Sequence, residues 1–130
     1  MSGFSDYLED KVLEHVFGGN AFTAPSSLHV ALFTSEQSDT GGGTEVSGGS
    51  YARQTATFNV SGTNPTTATN AAAVEYPTAT ADYGTVVAVG IFDASSSGNL
   101  LAYANLTASK TVSSGDVFRF DAGDIDITLA

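Results

Sequence analysis

Residues 85–106 read TVVAVGIFDASSSGNLLAYANL. Two apolar runs rich in β-branched and aromatic residues, Thr85 to Asp93 and Asn99 to Leu106, flank a connection made of Ala, Ser and Gly. That is the composition of two strands and a turn, so the segment reads as a β-hairpin. The pattern continues on both sides. Leu28 to Thr34, Gln54 to Val60, Ala71 to Tyr76, Val117 to Phe120 and Asp124 to Leu129 also read as strands, separated by Gly, Ser, Asn, Asp and Thr. Short strands with no helical pattern between them favour antiparallel pairing over a parallel sheet. The expected fold is therefore mainly β: an antiparallel, jelly-roll-like β-sandwich of about seven to eight strands, preceded by one N-terminal α-helix.

The helix is expected over residues 5–17. Phe4, Leu8, Val12 and Val16 recur every four residues, and Leu13 and Phe17 widen the stripe. Ser5 suits the N-cap, Asp6, Glu9 and Asp10 suit the positive end, and Gly18-Gly19-Asn20 ends it. One domain over 1–130 is the expectation for 130 residues, with the sandwich over 22–130. A chain of that size buries about two-thirds of its unfolded surface, enough for a core without staples.

Within the sandwich, Glu36 to Ser50 (EQSDTGGGTEVSGGS) is long, polar and glycine-rich. It is expected to be a flexible loop that orders only against a neighbouring subunit. The stretch that follows, GGSYARQTATF at 48–58, raises the question of a phosphate-gripping loop. Such loops follow a strand, open a helix and carry Lys then Ser or Thr after the last glycine, none of which holds here. Ala56, Phe58 and Val60 alternate with polar residues, so the glycines lead into a half-buried strand.

Fourteen acidic residues against four basic ones give a net charge of −10. Nucleic-acid affinity comes largely from Lys and Arg displacing counterions, so direct DNA or RNA binding is not expected. There is no cysteine, which excludes disulfides and thiolate metal sites. No run approaches the ~18 apolar residues of a membrane-spanning helix, and the acidic start Met1 to Asp10 lacks a signal peptide's basic region.

Catalytic patterns are thin. His15 falls on the helix, and His29 alternates with Leu28 and Val30 and is expected to point outward from a strand. Neither has a Ser, Cys or carboxylate at a recognisable nucleophile spacing. No catalytic residue, cofactor or metal ligand is assigned. The nearest approach to a metal motif is Asp121, Asp124 and Asp126, whose spacing is not that of the twelve-residue calcium loop. Two of these acids are accounted for as the wet face of the last strand.

The blocks GTEVSGGSYARQTATF (43–58), VEYPTATADYGTVVAVGIFDASSSGNLLAYANL (74–106) and SKTVSSGDVFRFDAGDIDITL (109–129) resemble a family of small virion proteins of tailed bacteriophages, often labelled tail-fibre proteins. The helix followed by TAPSSLHVALFTS (23–35) fits the same family. The resemblance implies a virion location, a structural role and no enzyme activity. Fibres usually show repeats, coiled-coil heptads or threaded strands, and none is visible in this sequence. The charge argument therefore favours a capsid decoration, or cement, protein bound to the outer shell, with a tail-fibre or other tail-associated component as the alternative. The expected partners are other virion proteins, the major capsid protein first and tail proteins second, in a homo-oligomeric or shell-bound arrangement without membrane. Leu8 and Val12 on the helix, Gly41, Gly42 and Gly43 in the loop, and Tyr51 and Arg53 at its end are the candidate interface residues. A sugar-binding module is a third reading, with Tyr51, Tyr83 and Tyr103 as stacking platforms.

Overall fold

The computed structural model describes residues 2–129. Strand β1 (Ser2–Phe4) comes first, then helix α1 (Asp6–Val16), β2 (Leu28–Phe33), β3 (Gln54–Ala56), β4 (Phe58–Ser61) and β5 (Thr66–Asn70). They are followed by β6 (Val74–Glu75), β7 (Gly84–Phe92), β8 (Leu100–Val112), β9 (Arg119–Phe120) and β10 (Asp126–Leu129). Every strand pair is antiparallel. The main sheet has the order β1-β8-β7-β2-β3, a three-stranded sheet the order β10-β5-β4, and β6 pairs with β9. The hairpin expected at 85–106 is the β7–β8 pair, with Val89 opposite Ala104 and Ile91 opposite Ala102.

The ten strands among the described residues exceed the seven to eight expected for identifiable reasons. The single run 54–60 splits at Thr57 into β3 and β4, which join different sheets. The weakly patterned TTATN at 66–70 pairs on both sides, with β4 and β10, although no apolar alternation marks it. A strand, β1, also precedes the helix and pairs with β8. The helix spans 6–16 with Ser5 as N-cap, its hydroxyl accepting from the Leu8 N–H at 3.2 Å.

The core lies on one face of the main sheet. Val30 and Leu32 of β2 and Val89 and Ile91 of β7 meet Val74, Tyr76, Phe118 and Ile125 from the smaller sheets and their connections. Two-residue alternation places Ala31, Phe33 and Ala88 on the opposite face, and these are buried as well. The segment 34–46 is tied to the end of β2. Thr34 N–H donates to Thr44 O at 2.8 Å, Thr44 N–H to Ser35 Oγ at 2.7 Å, and Val46 N–H to Leu32 O at 2.9 Å. The stretch expected to order only against a neighbour thus carries its own hydrogen bonds, and Val46 is buried in the core. Gly41, Gly42 and Gly43 all have positive φ, a run that residues with a Cβ rarely adopt, so the glycines serve a tight reversal rather than freedom.

Candidate functional site

Two sequence blocks far apart in the chain, around Tyr51-Arg53 and around Asp93-Asn99, meet in one clamp. The Arg53 guanidinium donates from Nη2 to Glu45 Oε1 at 2.8 Å and from Nε to Glu45 Oε2 at 2.9 Å, a two-pronged pair. Its Nη1 donates to the carbonyls of Ala94 at 3.0 Å and Ser97 at 2.8 Å, which ties the loop end to the β7–β8 turn. The same group lies 3.9 Å from the centre of the Phe92 ring. The turn is braced by Asp93, whose carboxylate accepts from the Asn99 N–H and side-chain amide at 2.8 and 3.0 Å.

Tyr51 completes the clamp. Its hydroxyl donates to Glu45 Oε2 at 2.7 Å and accepts from the Leu32 N–H at 3.0 Å, so one phenol joins the loop to β2. Its ring stacks on Tyr76 at 6.0 Å and meets Tyr83 edge-on at 5.7 Å. Burial raises the Glu45 pKa, but the hydrogen bonds from Arg53 and Tyr51 outweigh it and hold the carboxyl below its ordinary value. Burial and the bond to Glu45 push the Tyr51 phenol far up. The group stays a neutral donor, and the cluster is a closed structural pair with no free valence for chemistry.

The remaining candidates take no part in these hydrogen bonds. Gly41 is half-buried and Gly42 and Gly43 are exposed at the tip of the reversal. Leu8 and Val12 are half-buried, and Leu8 lines an apolar cavity of about 210 Å³ with Phe4, Phe22, Leu28 and Ile127. The C-terminal end of the same stripe is uncovered: Leu13 is 59% exposed, Val16 60% and Phe17 82%. Spacing alone does not show where along the helix burial ends.

Several expectations are corrected. His29 does not point to solvent; it is buried, flanked by Phe92 and Thr55 in the sheet register, because that face of β2 is covered too. Its Nε2 lies 2.9 Å from the Ser27 hydroxyl, a serine two residues away that the expected spacing did not mark. The Nδ1 atom has no partner, so no carboxylate orients the ring as a nucleophile's base requires. Tyr83 and Tyr103 are buried, and the flat side of Tyr51 is occupied by Tyr76, so these rings are not the exposed platforms a sugar would need.

Nor do the carboxylates of Asp121, Asp124 and Asp126 converge. Asp121 accepts from Arg119 at 2.8 Å, Asp124 from the Asp121 N–H at 2.9 Å, and Asp126 from the Thr69 hydroxyl at 2.9 Å. Their turn is held by Asn70, which is buried and satisfied at both ends of its amide. Its Oδ1 accepts from the N–H groups of Gly123 and Ile125 at 3.0 and 2.9 Å, and its Nδ2 donates to the carbonyls of Ala72 and Asp121 at 2.9 and 3.0 Å.

A family model described as Podophage GP4 fiber I protein gp80 matches residues 3–128. No curated protein gives a significant match.

Proposed function

Because the chain belongs to the family of small bacteriophage virion proteins described as Podophage GP4 fiber I protein gp80, we propose that it is a non-enzymatic structural subunit that docks on a neighbouring virion protein through the bare end of its helix. The observation that carries this reading is the exposure of Leu13, Val16 and Phe17 on one end of α1. Three large apolar side chains grouped on a surface helix are the kind of feature that marks a docking patch. The partner is a virion protein with an apolar recess, and the rest of the acidic surface keeps the subunit from associating elsewhere. The Tyr51-Arg53-Glu45 clamp supports the patch only indirectly, by fixing the loop and the hairpin turn of the same rigid body.

A tail-fibre place is one reading, in keeping with the words of the family's description. A cement role on the capsid shell is the second reading, favoured by the net charge of −10 and by the lack of heptads or repeats in the sequence. The two separate in one experiment on phage carrying Phe17→Ser or Leu13→Ser. A fibre subunit gives particles with normal heat resistance and reduced host adsorption, whereas a cement gives normal adsorption and fragile capsids. Full incorporation of both variants, with neither property changed, would remove the helix end from the interface.

A further inference from the structure

Strand β4 forms an open edge. It pairs with β5 from Phe58 opposite Asn70 to Ser61 opposite Thr67, and among the described residues no strand lies on its other side. The alternation of the ladder shows which backbone groups are free. Ala71 N–H donates to Thr57 O at 2.8 Å, towards β4, and Asn70 N–H donates to Ile125 O at 3.2 Å, towards β10. Hydrogen-bonded pairs alternate along an antiparallel ladder, so Asn59 and Ser61 bond to β5 while the N–H and C=O of Phe58 and Val60 point outward. Proteins usually guard such an edge with Lys, Pro, a charge or a bulge. The sequence FNVS of β4 has none of these residues, and its register runs without a break.

The side chains of the same edge are apolar on one face. Phe58 and Val60 share that face with Ala68 of β5 and Ile127 of β10, which stand beside them in the register. Phe58 and Ile127 pack against the core, but the face runs on beyond it, and Val60 is 69% exposed. Charge points to what meets this edge. No charged residue stands between Arg53 and Glu75, and Asp126, on the far edge strand β10, is the only charged residue in the three strands of this sheet. Copies of a chain with net charge −10 repel one another in general, and a charge-free edge is where a second copy approaches with least repulsion.

We propose that β4 is a self-association edge, on which β4 of a second copy pairs antiparallel about a twofold axis at Asn59. Only registers that set outward residues opposite outward residues make hydrogen bonds across the new junction. Placing the axis at Asn59 sets Phe58 of each copy opposite Val60 of the other, so the free N–H and C=O groups of both are used. It also covers each exposed Val60 with an aromatic ring, a favourable cross-strand pair. The contact is isologous, the same patch on both copies, and the two small sheets merge in the order β10-β5-β4-β4-β5-β10 with Asp126 at the far edges. Four residues per strand make a small contact. The pairing is therefore weak between free copies and strengthens where an assembly holds copies close together. It uses a different surface from the helix end and does not depend on that reading.

Single-cysteine variants of the full chain test the register, since the protein has no cysteine of its own. In this pairing the two Asn59 positions face each other with Cβ atoms about 5 Å apart, close enough for a disulfide. The two Ser61 positions are offset by about 14 Å along the strands, which is too far. Both residues are exposed, so reaction of each thiol with a small disulfide reagent corrects for intrinsic reactivity. At millimolar protein, Asn59→Cys should oxidise to a disulfide dimer about tenfold faster than Ser61→Cys or more. Adding Val60→Asp to Asn59→Cys should bring its rate down to that of Ser61→Cys with Tm unchanged, because Val60 is exposed in the single copy. Equal dimer formation by Asn59→Cys and Ser61→Cys would overturn the pairing. So would a rate that Val60→Asp leaves intact, or a maleimide cross-linker on Asn59→Cys that captures only a different protein on the particle.

Discussion

Arg53 shows how one side chain can decide a local fold. Its donors reach Glu45, Ala94 and Ser97, and its side chain is only 7% exposed, so its removal leaves a carboxylate and two carbonyls without their partner. Arg53→Ala should cost about 3 kcal/mol in urea unfolding. Arg53→Lys should recover only part of this, because an ammonium cannot fork onto Glu45 and both carbonyls. Glu45 adds a pH signature. Its folded pKa lies below the ordinary 4.5, so its contribution is complete above that value and is lost as the pH falls through the depressed one. Acid unfolding should therefore start at higher pH in Arg53→Ala and lose steepness in Glu45→Gln, as followed by circular dichroism. Asn70 is the other such residue. Asn70→Ala deserts two N–H groups and two carbonyls in a buried setting and should cost about 2–4 kcal/mol.

The elements differ in how much of their stability is internal. The segment after β2 is closed by its own hydrogen bonds and by Val46 in the core, so a glutamate-specific protease should cut after exposed Glu36 and spare Glu45 in the isolated protein. Deleting Gly41 to Gly49 removes Glu45 and Val46 together, and the expected outcome is an unfolded chain rather than a trimmed domain, as thermal melting would report. Helix α1 has no fully buried residue. Leu8→Ala, at the lined cavity, should cost about 1–2 kcal/mol, whereas Phe17→Ser should leave Tm unchanged, since Phe17 contributes nothing to the core it does not touch.

The whole molecule presents an acidic surface around a two-faced sheet. A net charge of −10 gives it a mean field that repels phosphate backbones and other copies of itself. Counting copies per particle separates the two virion readings, because a shell-covering protein is present in far greater number than a fibre subunit.

The elements whose side-chain period is strong were legible from sequence: α1 with its Ser5 cap, β2, and the β7–β8 hairpin. Periodicity records which face of an element is apolar, and that is local information. The blocks around Tyr51-Arg53 and Gly90-Asn99 were legible as distinctive, but not as halves of one clamp, because no local pattern tells Arg53 that Ala94 and Ser97 will stand beside it. The same blindness misplaced His29, whose strand alternation suggested solvent, although that face of β2 is buried in the fold. Asp6, Glu9 and Asp39 likewise become neighbours only after folding. The sequence by itself determined the secondary-structure class, the antiparallel pairing, the acidic surface and the family. Which polar groups meet, and which faces are covered, was decided by the tertiary structure, because hydrogen bonds and ion pairs act over a few ångströms and long-range chain closure sets those distances.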